Sequence, residues 1–547
     1  MDRQPPRATS DDIDLYIRTY YSLLRSSAGI RVRAFEEPHA WSESSLHAGA
    51  RDAAPDVAAF AYSAARLPDC MPSVKWLVMG QSKEQFESVG IHVRDWPRVR
   101  TRGRRRPMRW NGNDTLACFI TSTSDIDDLV PIITAYQIEW NKLHRVLSSG
   151  ERLDDHVLAT LHDVFGTRFT SEIDRIKKAP LDLATRLLSG SFVEYQRAAQ
   201  RWWGEIERVY VDGGQRRPVY FVSSNTHSLV NLLGGYALAH GDLLRDFVQR
   251  ENPEELAPEL AAAVEGGNEI EIANHLYYVL RVYLRDDPEG HRMAAVQAFD
   301  AQSGITNIPS PGHIDVNAQI IEVAKLKPER LDPRLRQAGL ERLAASDAVI
   351  INIDYPLGMA AYHHLSRLAQ GVGEIRGVYI MGKAATLNGR VGDVMISGVA
   401  YDEHSTNSYL FRNCFDASDV KPHVLESSVL DGQKALTVRG SFLQNRKYMS
   451  VFYQEGYTVL EMEAGPYLSA IYEMVYPKRH PKDEIVHLST LTPFEFGLLH
   501  YASDTPYSRR QSLLSKSLSL FGVDSTYGCA ATIARRILGN EVARLTP

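Results

Sequence analysis

The feature that most restricts the fold is a unit that recurs along the chain: a short apolar run, then small hydroxyl or amide residues, then helical periodicity. Three such runs begin at Val74, Leu116 and Val219, and the last two lead into Thr-Ser-Thr-Ser-Asp and Ser-Ser-Asn-Thr-His. A buried strand, capping residues and an amphipathic helix produce this pattern. Its repetition predicts an α/β fold.

The polar residues after each apolar run have two interpretations. As N-caps, their side chains accept hydrogen bonds from the first backbone N–H groups of the following helix. Alternatively, helix N-termini at the ends of strands bind an anion such as phosphate. The sequence leaves both interpretations open.

The length of the chain bears on the number of domains. A chain of 547 residues is too long for one hydrophobic core. Its 44% apolar and 23% charged residues are an ordinary globular balance, so extensive disorder is not expected. Residues 286–311 lose periodicity and are rich in proline and glycine. We therefore predict a helix-rich α/β region over residues 1–290, regulatory or partner-binding, a linker over 291–345 and an α/β domain over 346–547.

Charge and residue usage disfavour several classes of function. The net charge of -6 is small for this length and argues against binding to nucleic acid or an anionic membrane. No apolar stretch approaches the roughly 20 residues that span a bilayer, and the polar first residues do not resemble a secretion signal. The four cysteines lack C-x-x-C spacing, so neither zinc nor disulfides are expected. The sequence predicts a cytoplasmic protein without metal or cofactor.

A basic run lies between Trp96 and Trp110, with arginine at positions 98, 100, 102, 104, 105, 106 and 109. Arginines next to aromatic residues can hold phosphate or single-stranded nucleic acid. In a chain of net negative charge, a solvated loop or a contact with acidic groups is the alternative. We therefore do not expect nucleic acid as a partner.

Four strand-like segments in the C-terminal half end in polar residues. They are Ala348–Asp354 followed by Pro-Leu-Gly358, Val378–Leu387 with Gly382 and Lys383, Thr458–Gly465 with Glu461, Met462 and Glu463, and Leu498–Asp504 with Ser503. Ligands of open α/β sheets bind beyond the carboxyl ends of strands. Each carboxylate alone could be a helix cap or an ion-pair partner, but the ordered set predicts a ligand site.

In this order the segments resemble those of the nucleoside phosphorylase superfamily, which includes purine nucleoside and uridine phosphorylases, methylthioadenosine nucleosidase and AMP nucleosidase. Residues 382–397 resemble its glycine-rich strand end and following Val-Gly-Asp strand. Residues 461–464 resemble its Met-Glu ribose motif, and residues 503–504 its late Ser-Asp. The resemblance covers residues 346–538 and implies a nucleoside phosphorylase-like α/β sandwich with a mixed central sheet.

The resemblance also implies roles for individual residues. Glu463 would hydrogen-bond the ribose hydroxyls, Met462 would lie against the sugar, and Asp504 would donate a proton to the departing purine. Phe442 would stack on the base, with a position in the core as the alternative. The expected substrate-binding set is completed by Glu461, Gly382, Lys383, Gly358 and Ser503.

Departures from the family pattern concern the nucleophile. Phosphorolytic members carry an arginine where this chain has Ile380 or Met381, and Lys383 stands where a small or hydroxyl residue is usual. Water is therefore the expected nucleophile, with Asp354 and Asp315 as candidates to activate it. Lys383 could hold a phosphate on the substrate, or it could pair with Asp354.

Three functions stay open on the sequence alone. The first is hydrolysis of the N-glycosidic bond of a purine nucleoside or nucleoside 5′-monophosphate. The second is phosphorolysis, a pentosyl transfer, with inorganic phosphate held by Lys383 and Arg376. The third is a nucleoside-binding sensor or assembly protein without turnover. The resemblance further implies a homo-oligomer, because active sites of the family are commonly completed by a neighbouring subunit.

Overall fold

The computed structural model describes residues 11–546, except 27, 104, 105, 212, 213, 286, 288, 312, 313, 477, 478, 480, 481, 489–491 and 506–519. Its strands form two sheets, a six-stranded sheet from the first third of the chain and an eleven-stranded sheet from the rest. Helices surround both sheets, so the predicted α/β fold class is confirmed.

The N-terminal unit, residues 11–187, is a parallel-centred sheet covered by helices. Its helices are α1 (Asp11–Ser26), α2 (Arg33–Trp41), α3 (Val57–Ala65), α4 (Lys83–Glu87), α5 (Thr123–Ser148), α6 (Asp155–Phe165) and α7 (Phe169–Lys178). Its strands are β1 (Ile30–Arg31), β2 (Trp76–Gly80), β3 (Arg98–Val99), β4 (Met108–Trp110), β5 (Thr115–Phe119) and β6 (Ala184–Leu187), in the order β1-β6-β2-β5-β4-β3. Most of α5 is buried, which makes this long helix the centre of the unit.

The second unit contains the remaining elements. Its helices are α8 (Phe192–Tyr210), α9 (Ser228–Gly234), α10 (Tyr236–Ala239), α11 (Gly241–Glu251), α12 (Ala257–Gly266), α13 (Glu269–Arg285), α14 (His291–Ala301), α15 (Ala360–Gly371), α16 (Ala417–Val420), α17 (Arg446–Gln454), α18 (Ala464–Val475) and α19 (Leu520–Arg544). Its strands are β7 (Val219–Ser224), β8 (Ile305–Ile308), β9 (Ala318–Glu322), β10 (Val349–Asp354), β11 (Ile375–Thr386), β12 (Val394–Asp402), β13 (Asn407–Leu410), β14 (Val429–Thr437), β15 (Tyr457–Glu461), β16 (Ile485–His487) and β17 (Glu495–Asp504).

The large sheet is mixed, as predicted. Its order is β16-β13-β12-β14-β15-β11-β7-β10-β9-β8, and β17 pairs with both β11 and β12. Strand β11 runs parallel to β7 and β17 but antiparallel to β15. Side chains alternate between the two faces, so Tyr220 and Val222 pack with α9, α13 and α19 while Val219 and Phe221 pack with α8, α15 and α18.

The two sheets do not divide where the loss of periodicity predicted. Strand β7 precedes the predicted boundary at residue 290, yet it lies in the middle of the large sheet between β10 and β11. The local pattern specified a strand correctly but carried no information about its partners. The division between the sheets falls between β6 and β7.

The polar residues after the apolar runs are N-caps. Ser82 accepts from the N–H of Gln85, and Asn225 accepts from the N–H of Ser228 at 2.6 Å. Ser122 and Asp125 form a reciprocal capping box at the start of α5. The capping interpretation therefore accounts for these residues at all three strand ends.

In the basic run, intramolecular contacts are made by Arg98, Arg106 and Arg109. Arg106 is fully buried and pairs with Asp125 and Asp128, at 3.1 and 2.9 Å. Arg109 donates to the carbonyl of Trp96, and positions 104 and 105 lie outside the described residues. Within the described chain, no helix combines the length and the apolar character needed to cross a membrane.

Gly235 offers a test of the helix packing in the second unit. It ends α9 with φ of +74°, and a Cβ there would lie 2.1 Å from the backbone oxygen of Arg330. We expect Gly235→Ala to lower the free energy of unfolding by about 2–5 kcal/mol, because the left-handed conformation and the overlap both oppose a side chain. Gly267 is a matched control, since it ends α12 at φ of +69° in open space. Gly267→Ala should cost about 1–2 kcal/mol. Equal losses in urea unfolding would contradict this packing.

Candidate active site

Strand β11 organises the carboxyl edge of the large sheet. Ala385 on this strand pairs with Leu460 of β15 on one side and with Asp504 of β17 on the other. Strands β7 and β10 end at the same edge, where Asp354 pairs with Ser224. The register therefore brings together the strand ends that the sequence singled out.

Glu461 stabilises the backbone at this edge and does not make the ligand contacts that were predicted for it. Its carboxylate is 3% exposed and accepts hydrogen bonds from the hydroxyl of Thr437 and from the N–H groups of Glu463 and Ala464. Burial, with a smaller effect from the charge of Glu463, raises its pKa to about 7. These hydrogen bonds cap the start of α18, and they stabilise the carboxylate although it is buried.

Glu463 is better placed for a ligand. It precedes α18, is half-buried, and its Oε1 accepts a hydrogen bond from the N–H of Gly358 at 3.1 Å. Gly358 has φ of +51°, and a Cβ there would approach the hydroxyl oxygen of Ser124 to 2.2 Å. The predicted glycine loop is thus held between Glu463 on one side and the N-terminal unit on the other.

Ser124 joins the two units through a chain of hydrogen bonds. Its hydroxyl accepts from the N–H of Met359 at 2.9 Å and lies 3.3 Å from Nε2 of His404. Nδ1 of His404 lies 2.9 Å from Asp402, which assigns the ring proton to Nδ1. Burial opposes ionisation of Asp402, but the hydrogen bonds from His404 and Ser405 outweigh it and lower its pKa.

The order serine, histidine, aspartate is also that of a nucleophilic triad. Ser124 is completely buried, however, and its oxygen already accepts the N–H of Met359. It is therefore a positioning residue, which fixes the loop that contacts Glu463.

Asp504 lies across β11 from Glu463. It is half-buried and accepts a hydrogen bond from the hydroxyl of Ser503 at 3.0 Å. Burial raises the pKa of Asp504, and the bond from Ser503 and the charges of Arg66 and Lys383 oppose this only in part. A carboxyl group with a raised pKa stays protonated to higher pH, as a proton donor requires.

The other residues of the predicted set have different surroundings. Met462 is 9% exposed and packs in an apolar cluster with Leu387 and Tyr401. Gly382 faces Tyr355, whose ring a Cβ would meet at an ordinary 3.6 Å. Lys383 is exposed.

Phe442 does not offer a face to a base. It is 1% exposed and packs in the core of the N-terminal unit, where its ring centroid is 5.3 Å from that of Tyr62 and 5.8 Å from that of His39. The predicted stacking role is therefore replaced by the alternative of a core residue. Its partners precede it by hundreds of residues, so the local sequence could not reveal them.

Two further predicted residues form ion pairs. Asp315 pairs with Arg98 at 3.0 Å and lies just before β9, whose first residue pairs with the end of β10. Arg376 pairs with Glu541 and Asp347 at the start of β11, roughly 23 Å along the strand from Lys383. The two cations therefore cannot hold one phosphate together. Asp354 stays a candidate, because it is buried at the end of β10.

The N-terminal unit covers this edge through a buried ion pair. The guanidinium of Arg439, just beyond β14, lies 3.0 Å from Asp127 on α5. Asp127 is 1% exposed and also accepts from the hydroxyl of Tyr20 at 2.5 Å. A buried carboxylate with two such partners fixes the position of α5 over the sheet.

A comparison with protein families identifies the family of this chain. The model of the family described as "Family of unknown function (DUF6909)" matches residues 32–158 and 151–539. These segments include both units, so the chain belongs to this family. No curated protein matches the chain at a significant level.

Solved structures similar to this chain include nucleosidases and a phosphorylase. The 5′-methylthioadenosine/S-adenosylhomocysteine nucleosidase of Neisseria meningitidis aligns over 59% of this chain and 99% of its own, at 11% identity and a TM-score of 0.29. The corresponding nucleosidase of S. pneumoniae aligns over 44% and 94%, at 11% identity and 0.28. Isoform 2 of uridine phosphorylase from Schistosoma mansoni aligns over 35% and 72%, at 12% identity and 0.24.

The ion pair between the units gives the second prediction. Arg439→Met removes the charge opposite Asp127 while keeping much of the apolar stem, so we expect a loss of about 3–5 kcal/mol in the free energy of unfolding. Arg94→Met is the control, because Arg94 pairs with Glu84 and Glu87 at the surface with a side chain 55% exposed. It should leave stability nearly unchanged, because a solvent-exposed ion pair contributes little. If both variants unfold at the same urea concentration, the pair does not hold the units together.

Proposed function

We propose that the carboxyl edge of the large sheet hydrolyses the N-glycosidic bond of a purine nucleoside or nucleoside 5′-monophosphate. The observation that carries the proposal is the pair of carboxyl groups on either side of β11. Asp504 is half-buried with a raised pKa, and Glu463 is fixed by the loop at Gly358. The order of motifs along the chain supports the same chemistry.

In the proposed reaction, the oxygen of water bonds to the anomeric carbon as the bond to the base nitrogen breaks. The bonding electron pair passes to the purine, and Asp504 supplies the proton that the base takes up at its other ring nitrogen. Glu463 accepts hydrogen bonds from the ribose hydroxyls, which holds the sugar as it gains oxocarbenium character. Asp354 is our candidate to accept the proton that water releases.

Phosphorolysis has less support than hydrolysis. Arg376 lies at the opposite end of β11, and Ile380 and Met381 are apolar and buried. Lys383 stands at the carboxyl edge, where its charge acts on Asp504. We therefore assign Lys383 to the 5′-phosphate of a substrate, with free phosphate as the alternative.

The N-terminal unit has a structural role in this proposal. Ser124 positions the loop at Gly358, and the charge of Arg66 acts on Asp504. A nucleoside-binding protein without turnover would use the same contacts, so product formation distinguishes the two. Homo-oligomer formation stays a prediction of the resemblance, which light scattering can test.

Asp504→Asn tests the proton donor. We expect folding to persist and base release to slow by about 10²–10⁴-fold, because the amide keeps the shape but cannot donate the proton. In the unmodified protein, kcat/KM should fall as pH rises through the raised pKa of Asp504, since the protonated form is the active one. This alkaline decline should be absent in the variant.

The measurement is free base released from a panel of nucleosides and nucleotides, with and without phosphate, as a function of pH. Asp182→Asn is the matched control, because it changes a carboxylate that pairs with Arg31 in the N-terminal unit. Its activity should equal that of the unmodified protein. Full activity of Asp504→Asn on a purine substrate would remove Asp504 from the mechanism.

Lys383→Met tests the substrate class. Because Lys383 is exposed, its loss should leave the unfolding transition nearly unchanged. If Lys383 holds a 5′-phosphate, KM should rise at least tenfold for the nucleoside monophosphate and stay constant for the matched nucleoside. Loss of phosphate dependence for every nucleoside would instead support phosphorolysis. A lowered melting temperature with unchanged substrate preference would show a structural ion pair and refute the nucleotide assignment.

A further inference from the structure

A cavity opens on the other face of the large sheet. Its volume is about 360 Å³, within the range of small-molecule sites. It is lined by the start of α9, by α13, α14 and α19, and by Asn307 and Gln319 of β8 and β9. Its apolar residues, such as Val230 and Val296, belong to the core that packs on Tyr220 and Val222. Glu463, in contrast, directly precedes α18, which packs on the opposite face of the sheet.

The interior of the cavity combines aromatic rings with amides. The rings of Tyr277 and Tyr527 are stacked at 4.4 Å between centroids, and the hydroxyl of Tyr527 accepts from Asn231 at 2.7 Å. The side-chain oxygen of Asn307 accepts from Gln319 at 2.7 Å, which directs its amide toward donation. An aromatic pair beside amide groups suits a planar heterocycle that has both donors and acceptors.

Asp300 is the most unusual group in the lining. It is 2% exposed, and among the described residues no hydrogen bond reaches its carboxylate. Burial raises its pKa to about 7, although the charge of Arg330 opposes this. A buried carboxyl group that lacks a donor is costly to the fold, so its presence in a cavity points to a ligand that supplies one.

The mouth of the cavity is cationic. Arg281 and Arg285 lie on α13, are exposed and form part of the lining. Arg285 also pairs with Glu254 at 2.7 Å. Guanidinium groups are the preferred partners of phosphate, so a ligand whose heterocycle enters the cavity would place an anionic tail near them.

We propose that this cavity binds a nucleoside monophosphate, with the base beside the stacked tyrosine pair and the phosphate at Arg281. The base would donate to Asp300 and accept from Asn307. This site goes beyond the proposed catalytic function and does not depend on it. A nucleotide held there would contact α9, α13 and α19, the helices that pack on one face of the large sheet.

The experiment is an equilibrium titration of adenosine 5′-monophosphate into the full chain carrying Asp504→Asn, which suppresses turnover. Adding Met293→Trp should weaken binding at the cavity at least tenfold, because Met293 lies in the lining and is 41% exposed, so a larger ring can block the mouth without disturbing the core. Leu243→Trp is the matched control, since it is 38% exposed on α11 and outside the lining. It should leave binding unchanged.

Two further variants separate this proposal from the catalytic one. Arg281→Met should weaken the binding of adenosine 5′-monophosphate at least tenfold and leave the binding of adenosine unchanged. Equal weakening of both would refute the phosphate contact.

Binding that is lost with Lys383→Met but unaffected by Met293→Trp would overturn the cavity site and leave the catalytic proposal standing. Binding lost with Met293→Trp but not with Lys383→Met would support the cavity site while contradicting the nucleotide substrate. Absence of binding in every variant would overturn the cavity proposal.

Discussion

The pairing of β11 with three different strands is the constraint on which the rest of the second unit depends. Its first half pairs with β7, its length pairs with β17, and its last residues pair with β15 in the opposite direction. Because β15 runs antiparallel to β11, the carboxyl end of β15 points toward the middle of β11 and not beyond its last residue. Glu463 and Asp504 thus reach one edge from two directions.

The second constraint is that this edge is covered by another part of the same chain. Helix α5 places Ser124 and Asp127 against the loop at Gly358 and against Arg439. Each contact is buried and polar, so each is costly to break singly because it leaves a partner unsatisfied. The contacts between the N-terminal unit and this edge are therefore specific. Burial raises the pKa of Asp504, and the charge of Arg66 in the N-terminal unit opposes this in part.

The sequence predicted the elements of this arrangement better than their partners. The strand ends at Glu463 and Asp504 carry their signal locally, because a short apolar run and the polar residues after it are neighbours in the chain. Strand β7 was recognised as a strand but assigned to the wrong part of the chain, since its pattern is the same in either sheet. Ser124 and His404 lie 280 residues apart, and Arg439 lies 312 residues from Asp127. Local periodicity cannot predict contacts between residues that are so far apart in the chain.

The cover over the edge also changes the argument for an oligomer. In the nucleoside phosphorylase superfamily, a neighbouring subunit commonly completes the active site, and this was the reason to expect one here. In this chain, α5 and the charge of Arg66 already reach the edge from within the same polypeptide. A subunit placed over the same surface would have to displace the ion pair between Arg439 and Asp127, whose loss leaves a buried charge. We therefore expect any association between copies of this chain to use another surface, and the role proposed for Asp504 does not depend on it.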